Sequence, residues 1–179
     1  MTSYAVFLRG VNVGGVTIKM NELKDALEAA GFANTKTLLV SGNVVLSSNK
    51  DAAAVKVSVE GCLRNSFGYD AWVVVLTAER VIQLIADCPY PSDDAETHTY
   101  VTLSSDAHVL TELRHAGATG GTELTSLGLD AIAWLAPAGG TLDSPFSKLT
   151  SKARYKSTTT TRNLRTMIKV RNALGNQER

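Results

Sequence analysis

The run SYAVFLR, residues 3–9, carries five consecutive apolar side chains from Tyr4 to Leu8. A strand with one wet face alternates apolar and polar residues; this one does not alternate, so it needs cover on both faces. The segments after it follow a definite order. MNELKDALEAAG repeats apolar residues at Leu23, Leu27 and Ala30, with Gly31 as a natural stop, and predicts a helix. TKTLLV and VVLSS read as two strands joined by a tight SGN turn, a hairpin. DAAAVKVSVEGCLRNSFG places Val55, Val59, Cys62, Leu63 and Phe67 on one helical face, with Asp51 as N-cap and Gly68 as stop. AWVVVLT is again a strand. The order β-α-β-β-α-β is that of ferredoxin-like units. It predicts an antiparallel four-stranded sheet over residues 1–76, with the first and third strands central and both helices on one face.

The second half repeats part of this order. TAERVIQLIADCP predicts a helix capped by Thr77 and ended before Pro89. YPSDDAETH is a polar loop and a natural boundary. HTYVTLS reads as a strand, DAHVLTELRHAG as a helix, and GTELTSLG and LDAIAWLAP as two more strands. His108 opens that helix and His115 closes it. Residues 137–161 are rich in Gly, Ser, Thr, Pro and Lys and show no clear period; such segments are usually functional or mobile. TTRNLRTMIKVRNALG closes the chain as a helix from about residue 162, capped by Thr160 or Thr161, with Leu164, Met167, Ile168 and Leu174 as its apolar face. The expected architecture is α+β. A ferredoxin-like βαββαβ unit (1–76) leads through a helix and loop (77–97) into a second, related βαββα unit with a basic C-terminal helix (98–179).

Composition narrows the class. Hydrophobic residues make up 44% and charged residues 20%, as in a globular protein. No apolar stretch approaches the roughly 20 residues that span a bilayer, and the N-terminus lacks a basic region followed by a cleavage site. A cytoplasmic protein with no membrane partner is expected. Cys62 and Cys88 are too few for a disulfide framework or a zinc site; both are read as small buried hydrophobes on helical apolar stripes. The net charge is only +1, yet residues 87–143 hold nine acidic residues and one basic, and residues 144–179 nine basic and one acidic. Either the basic tail packs beside the acidic middle, or it offers a surface to phosphate or nucleic acid.

Catalytic constellations are largely missing from the sequence. GVNVGG lacks the Lys-Ser/Thr end of a P-loop and the spacing of a dinucleotide fingerprint. His98, His108 and His115 are scattered, no spacing calls for a metal or cofactor, and Ser41 is not in a nucleophile elbow. Three stretches do stand out. They are RGVNVGG with Arg9, Gly10, Asn12, Gly14 and Gly15; SGN with Ser41, Gly42 and Asn43; and TRN with Thr161, Arg162 and Asn163. Glycines let backbone N–H groups approach an anion, and a guanidinium forks onto oxyanions. Each stretch also has a plain structural reading. Gly42-Asn43 suits a turn, the paired glycines let the chain bend, and a threonine before a helix caps it. Arg9 can equally pair with an acidic residue such as Glu22.

RGVNVGG, Met20 with Leu23, Gly31-Phe32, Thr37, SGNVV at 41–45, and TRN with Thr166 together resemble domain-of-unknown-function family 1697, uncharacterised and mainly bacterial proteins. The likeness runs from about residue 4 to residue 174. Leu164 stands where the family usually has Trp, and Leu46 where an aromatic is common. The resemblance implies an α+β fold with ferredoxin-like substructure and treats the three stretches as one site. It implies no reaction.

The leading expectation is a binding protein for a phosphorylated or otherwise anionic ligand, held where RGVNVGG meets the start of the 162–173 helix. An alternative is an enzyme acting on an anionic small molecule, with Asn12, Ser41, Asn43 and Asn163 orienting the substrate and Arg9 stabilising developing charge. Another is an oligomer-forming protein, the basic tail of one chain meeting the acidic middle of the next. A monomer or weak homodimer is expected. Nucleic acid is a weaker partner than a small anion, since aromatics are only 6% and the strands lack the aromatic pairs that stack bases.

Overall fold

A computed structural model describes residues 1–11, 17–39, 42–68 and 70–175. The chain divides into two compact units: Met1–Ile82 with the segment from Lys169 onward, and Gln83–Ile168. The first unit holds β1 (Thr2–Arg9), α1 (Met20–Ala29), β2 (Ala33–Leu38), β3 (Asn43–Ser48), α2 (Ala52–Phe67) and β4 (Trp72–Thr77). Its sheet has the order β2-β3-β1-β4 with antiparallel neighbours. The strand that does not alternate is therefore central, and Tyr4 to Leu8 are all buried. Tyr4, Val6 and Leu8 join Leu23 and Leu27 of α1 and Val55, Val59 and Leu63 of α2 in one core. Ala5 and Phe7, on the opposite face of β1, are buried as well. Each such leucine or valine removed from water contributes about 1.5–3 kcal/mol before entropy is subtracted.

The local signals act as the sequence suggests. Asp51 Oδ1 accepts from Ala54 N at 2.8 Å, and Gly68, at φ 67°, ends α2. The hairpin differs in one respect. Asn43 is not in the turn; it opens β3, opposite Leu38 and Phe7, and is 0% exposed. Its Nδ2 donates to Leu38 O at 3.2 Å. An amide buried at a strand start is tolerable because it closes the turn from inside.

Between Ile82 and Gln83, α3 (Ala78–Asp87) passes from the first unit to the second. Thr77 Oγ1 accepts from Arg80 N at 3.2 Å and caps it. Cys88 lies past the end of α3 rather than on its apolar stripe, because the helix stops ahead of Pro89. It is half-buried, with Sγ 4.0 Å from Tyr90 O, and burial pushes its thiol pKa up. Cys62 is half-buried too, its Sγ donating to Ala26 O at 3.3 Å.

The second unit holds β5 (Thr97–Ser104), α4 (Ala107–Thr119), β6 (Leu124–Ser126), β7 (Ala131–Pro137), α5 (Pro145–Thr150), β8 (Thr159–Asn163) and the start of α6 (Leu164–Gly175). Its sheet order, β6-β7-β5-β8, repeats that of the first unit. The strand missing from the sequence-based expectation is thus β8, which starts in the segment that showed no period and runs on through Asn163. Its threonines pair with β5, as β-branched residues readily do, and do not cap a helix. Asn163 caps α6 instead, its Oδ1 accepting from Arg165 N at 2.8 Å. The remaining helix, α5, is only six residues long, too short for a helical period to show. Ser144 Oγ accepts from Ser147 N at 3.1 Å to start it, with Pro145 following.

Two further helix details differ from expectation. α4 runs on to Thr119, so His115 sits a turn before its end. The buried side chains of α6 are Leu164, Met167, Val170, Ala173 and Leu174, while Ile168 is only partly covered.

Candidate functional site

Because β2 lies antiparallel to β3 and β3 to β1, β1 and β2 run the same way. α1 must therefore start at the end where β1 finishes. Arg9 ends β1 there, opposite Trp72 at the start of β4, and Gly10 turns the chain at φ 79°. The connection between β2 and β3 arrives at the same end. Leu8 N donates to Gly42 O at 2.8 Å. Gly42 has φ 71°, and a Cβ on it would lie 2.9 Å from Leu8 Cβ and 3.1 Å from Val11 Cγ2. Only glycine fits both that conformation and that approach. RGV and Gly42 of SGN are thus neighbours, packed through Leu8, Val11 and Gly42.

Arg9 is half-buried, and burial pushes its guanidinium pKa below the usual arginine value. It remains a cation at neutral pH, since an arginine is effectively never deprotonated in a protein. Lys19 holds the N-cap position of α1 in an extended conformation and makes no side-chain capping bond. Its Nζ lies 3.2 Å from Glu22 Oε1, so Glu22 pairs with Lys19. Sequence reasoning passed over Lys19 because lysine is not a capping residue; its signal is a cation placed directly before a helix start. Asn12, Gly14, Gly15 and Ser41 lie outside the described residues.

TRN lies in the second unit. The Thr161 hydroxyl bonds the Thr102 hydroxyl at 2.9 Å, and Trp134 Nε1 donates to the same Thr102 oxygen at 3.0 Å. Arg162 is 8% exposed; its Nη1 donates to Thr160 Oγ1 at 2.7 Å and to Thr161 O at 3.0 Å. Asn163 caps α6 as described. All three have local duties in their own unit.

The basic segment also finds acidic partners inside that unit. Arg154 meets Glu112 at 2.5 Å, Lys148 meets Asp143 at 3.8 Å, and Arg165 meets Asp93 at 4.0 Å. These pairs are well exposed, so each contributes little to stability. In each, a basic residue from 144–168 lies beside an acidic residue from 87–143. Among the described residues, no group of three or more His, Cys, Asp or Glu side chains is placed to hold a metal ion. No helix among them is long and apolar enough to cross a membrane.

Known structures share this architecture. The conserved bacterial protein SP0830 from Streptococcus pneumoniae superposes with a TM-score of 0.73 over 97% of this chain and 98% of its own, at 21% sequence identity. At that identity the likeness speaks for the fold. No match was found among curated proteins. A family model, described as Protein of unknown function (DUF1697), matches residues 1–127, which include RGVNVGG and SGN. The chain belongs to that family.

Proposed function

We propose that the protein binds a phosphorylated or otherwise anionic small molecule at the loop end of the first sheet, on the RGVNVGG connection. One observation carries this reading. Arg9, partly withdrawn from water, ends a central strand beside two positive-φ glycines, Gly10 and Gly42, where α1 begins without a side-chain cap. A half-buried guanidinium interacts more strongly with an anion than one in bulk water. The start of α1 adds N–H donors and the positive end of a helix dipole. Gly14, Gly15, Asn12 and Ser41 bring to the same stretches residue types that suit an anion, glycines without a side chain and neutral hydrogen-bond donors. Gly42 and Asn43 hold the neighbouring turn in shape. The reading rests on the first unit alone, and its setting is the cytoplasm, which suits the two free thiols.

Calorimetric titration with inorganic phosphate, pyrophosphate and nucleoside phosphates tests it. Arg9→Ala is expected to weaken binding roughly 10- to 100-fold, the worth of a charge-assisted hydrogen bond. Affinity should also fall as salt is raised. Wild-type protein that binds none of these anions at millimolar concentration sinks the proposal, as does an Arg9→Ala variant that binds them equally well.

A further inference from the structure

A separate arrangement lies at the outer edge of the first sheet. β4 is an edge strand, with β1 on its inner side. Residues facing each other across an antiparallel pair alternate between hydrogen-bonded and non-hydrogen-bonded pairs. Leu8 lies opposite Val73 and sends its N–H the other way, to Gly42 O at 2.8 Å. Leu8 and Val73 are therefore a non-hydrogen-bonded pair, and the N–H and C=O of Val73 point out from the sheet. Such groups on an edge strand form a template for another strand.

Here both are occupied by side chains from one helix. Glu60 Oε1 of α2 accepts from Val73 N at 3.0 Å, and Lys56 Nζ of α2 donates to Val73 O at 2.7 Å. Lys56 and Glu60 are one helical turn apart and also pair with each other. Their side chains are mostly buried, at 24% and 17% exposure, so this is not a loose surface ion pair. The pair gives Val73 the two hydrogen bonds that a neighbouring strand would otherwise make. By the same alternation, Val75, opposite Val6, and Thr77, opposite Tyr4, also turn their backbone groups outward. Thr77 runs directly into α3, which ends the strand. Between the side-chain clamp and that helix only Val75 is left, too short a stretch for a ladder.

We propose that Lys56 and Glu60 guard the β4 edge against pairing with a second copy of this chain. A second copy is the fitting partner because two β4 edges can pair antiparallel about a twofold axis, each offering the same outward groups of Val73 and Val75. The β2 edge needs no such guard: its register shifts between Ala33 and Lys36 and Asn34 sits at φ 52°, a break that spoils a flat template.

The test compares the full-length protein with Lys56→Ala/Glu60→Ala. Alanine preserves helix propensity, and circular dichroism with a thermal melt verifies the fold. At low protein concentration, hydrogen exchange at the Val73 amide should accelerate roughly tenfold or more in the double variant, as expected for loss of a bond to a charged acceptor. At high concentration the variant should form a dimer in sedimentation velocity where wild type does not. Adding Val75→Pro, which removes an outward N–H that the fold does not use within its sheet, should abolish that dimer. Unchanged exchange at Val73 overturns the proposal. So does faster exchange with no association, a wild type that dimerises equally, or a dimer that survives Val75→Pro.

Discussion

The two units share one strand order, β2-β3-β1-β4 and β6-β7-β5-β8, but they fill the space over the sheet by different means. In the first, the 16-residue α2 lays Val55, Val59 and Leu63 on the strands beside Leu23 and Leu27 of α1. In the second, the helix at the same place in the order, α5, has six residues. Aromatic side chains make up the difference. Trp134 stacks on Tyr100 at 5.0 Å and meets Phe146 edge-on at 5.3 Å, and Tyr155 is buried in the same cluster. An aromatic ring buries more area per residue than a valine or leucine, so a few of them cover what a long aliphatic helix covers elsewhere. They also bring polar handles that need partners. Trp134 Nε1 uses Thr102, which bonds Thr161, and the Tyr155 hydroxyl donates to Glu112 at 2.8 Å. Strand pairing is the shared element; how the helical layer is filled is open to substitution.

The sharpest way to break this comparison is to empty the aromatic layer. Phe146→Ala should cost about 3–5 kcal/mol in chemical denaturation, and amide protection should fall in the second unit before the first. A loss under about 1 kcal/mol would mean that the short helix covers the sheet without the ring.

Two glycine substitutions on helices of the two layers should have opposite signs. A Cβ on Gly117 of α4 would lie 2.6 Å from Leu124 Cδ1 and 2.7 Å from Phe146 Cδ2. Gly117→Ala should therefore destabilise by about 1–3 kcal/mol through overpacking, despite its gain in helix propensity. Gly61 of α2 has nothing within 4 Å of that position. Gly61→Ala should stabilise by about 0.5–1 kcal/mol. Equal melting shifts for the two would show that the helix layers are packed alike.

The smallest effect is in alkali. The Tyr155 pKa is raised above the ordinary tyrosine value, first by burial and then by its bond to Glu112. A folded-state pKa above the unfolded one adds stability that is fully present below about pH 10, the unfolded tyrosine value, and is lost as pH rises through the folded pKa. Ultraviolet titration should show a tyrosine ionising late, and Tyr155→Phe should remove that late step. A step that survives the substitution assigns it to another tyrosine.

Local chemistry made the first unit readable. Five apolar residues in a row demanded a central strand, Leu23 with Leu27 and Val55 with Val59 marked two helix faces, and Asp51, Gly31 and Gly68 marked their ends. Each of these signals acts between residues close in the chain, which is why it survives without coordinates. The sequence also singled out RGVNVGG and SGN, and only the resemblance joined them into one site; the bond from Leu8 to Gly42 links residues far apart in the chain, beyond the reach of local rules. The same limit hid β8. Thr160 and Thr161 suit a helix cap or a strand equally well by local rules, and pairing with Leu103 and Thr102 of β5 settled the choice. It hid the Val73 clamp too, since Lys56 and Glu60 read alone as an ordinary surface pair one helical turn apart. Periodicity and capping are properties of neighbours along the chain, so the sequence determined the order of elements and most of their faces. Edge protection depends on which backbone groups of Val73 are left needing a partner, and the burial of Asn43 and the aromatic layer on which segments distant in the chain pack over them; only the tertiary structure decided those.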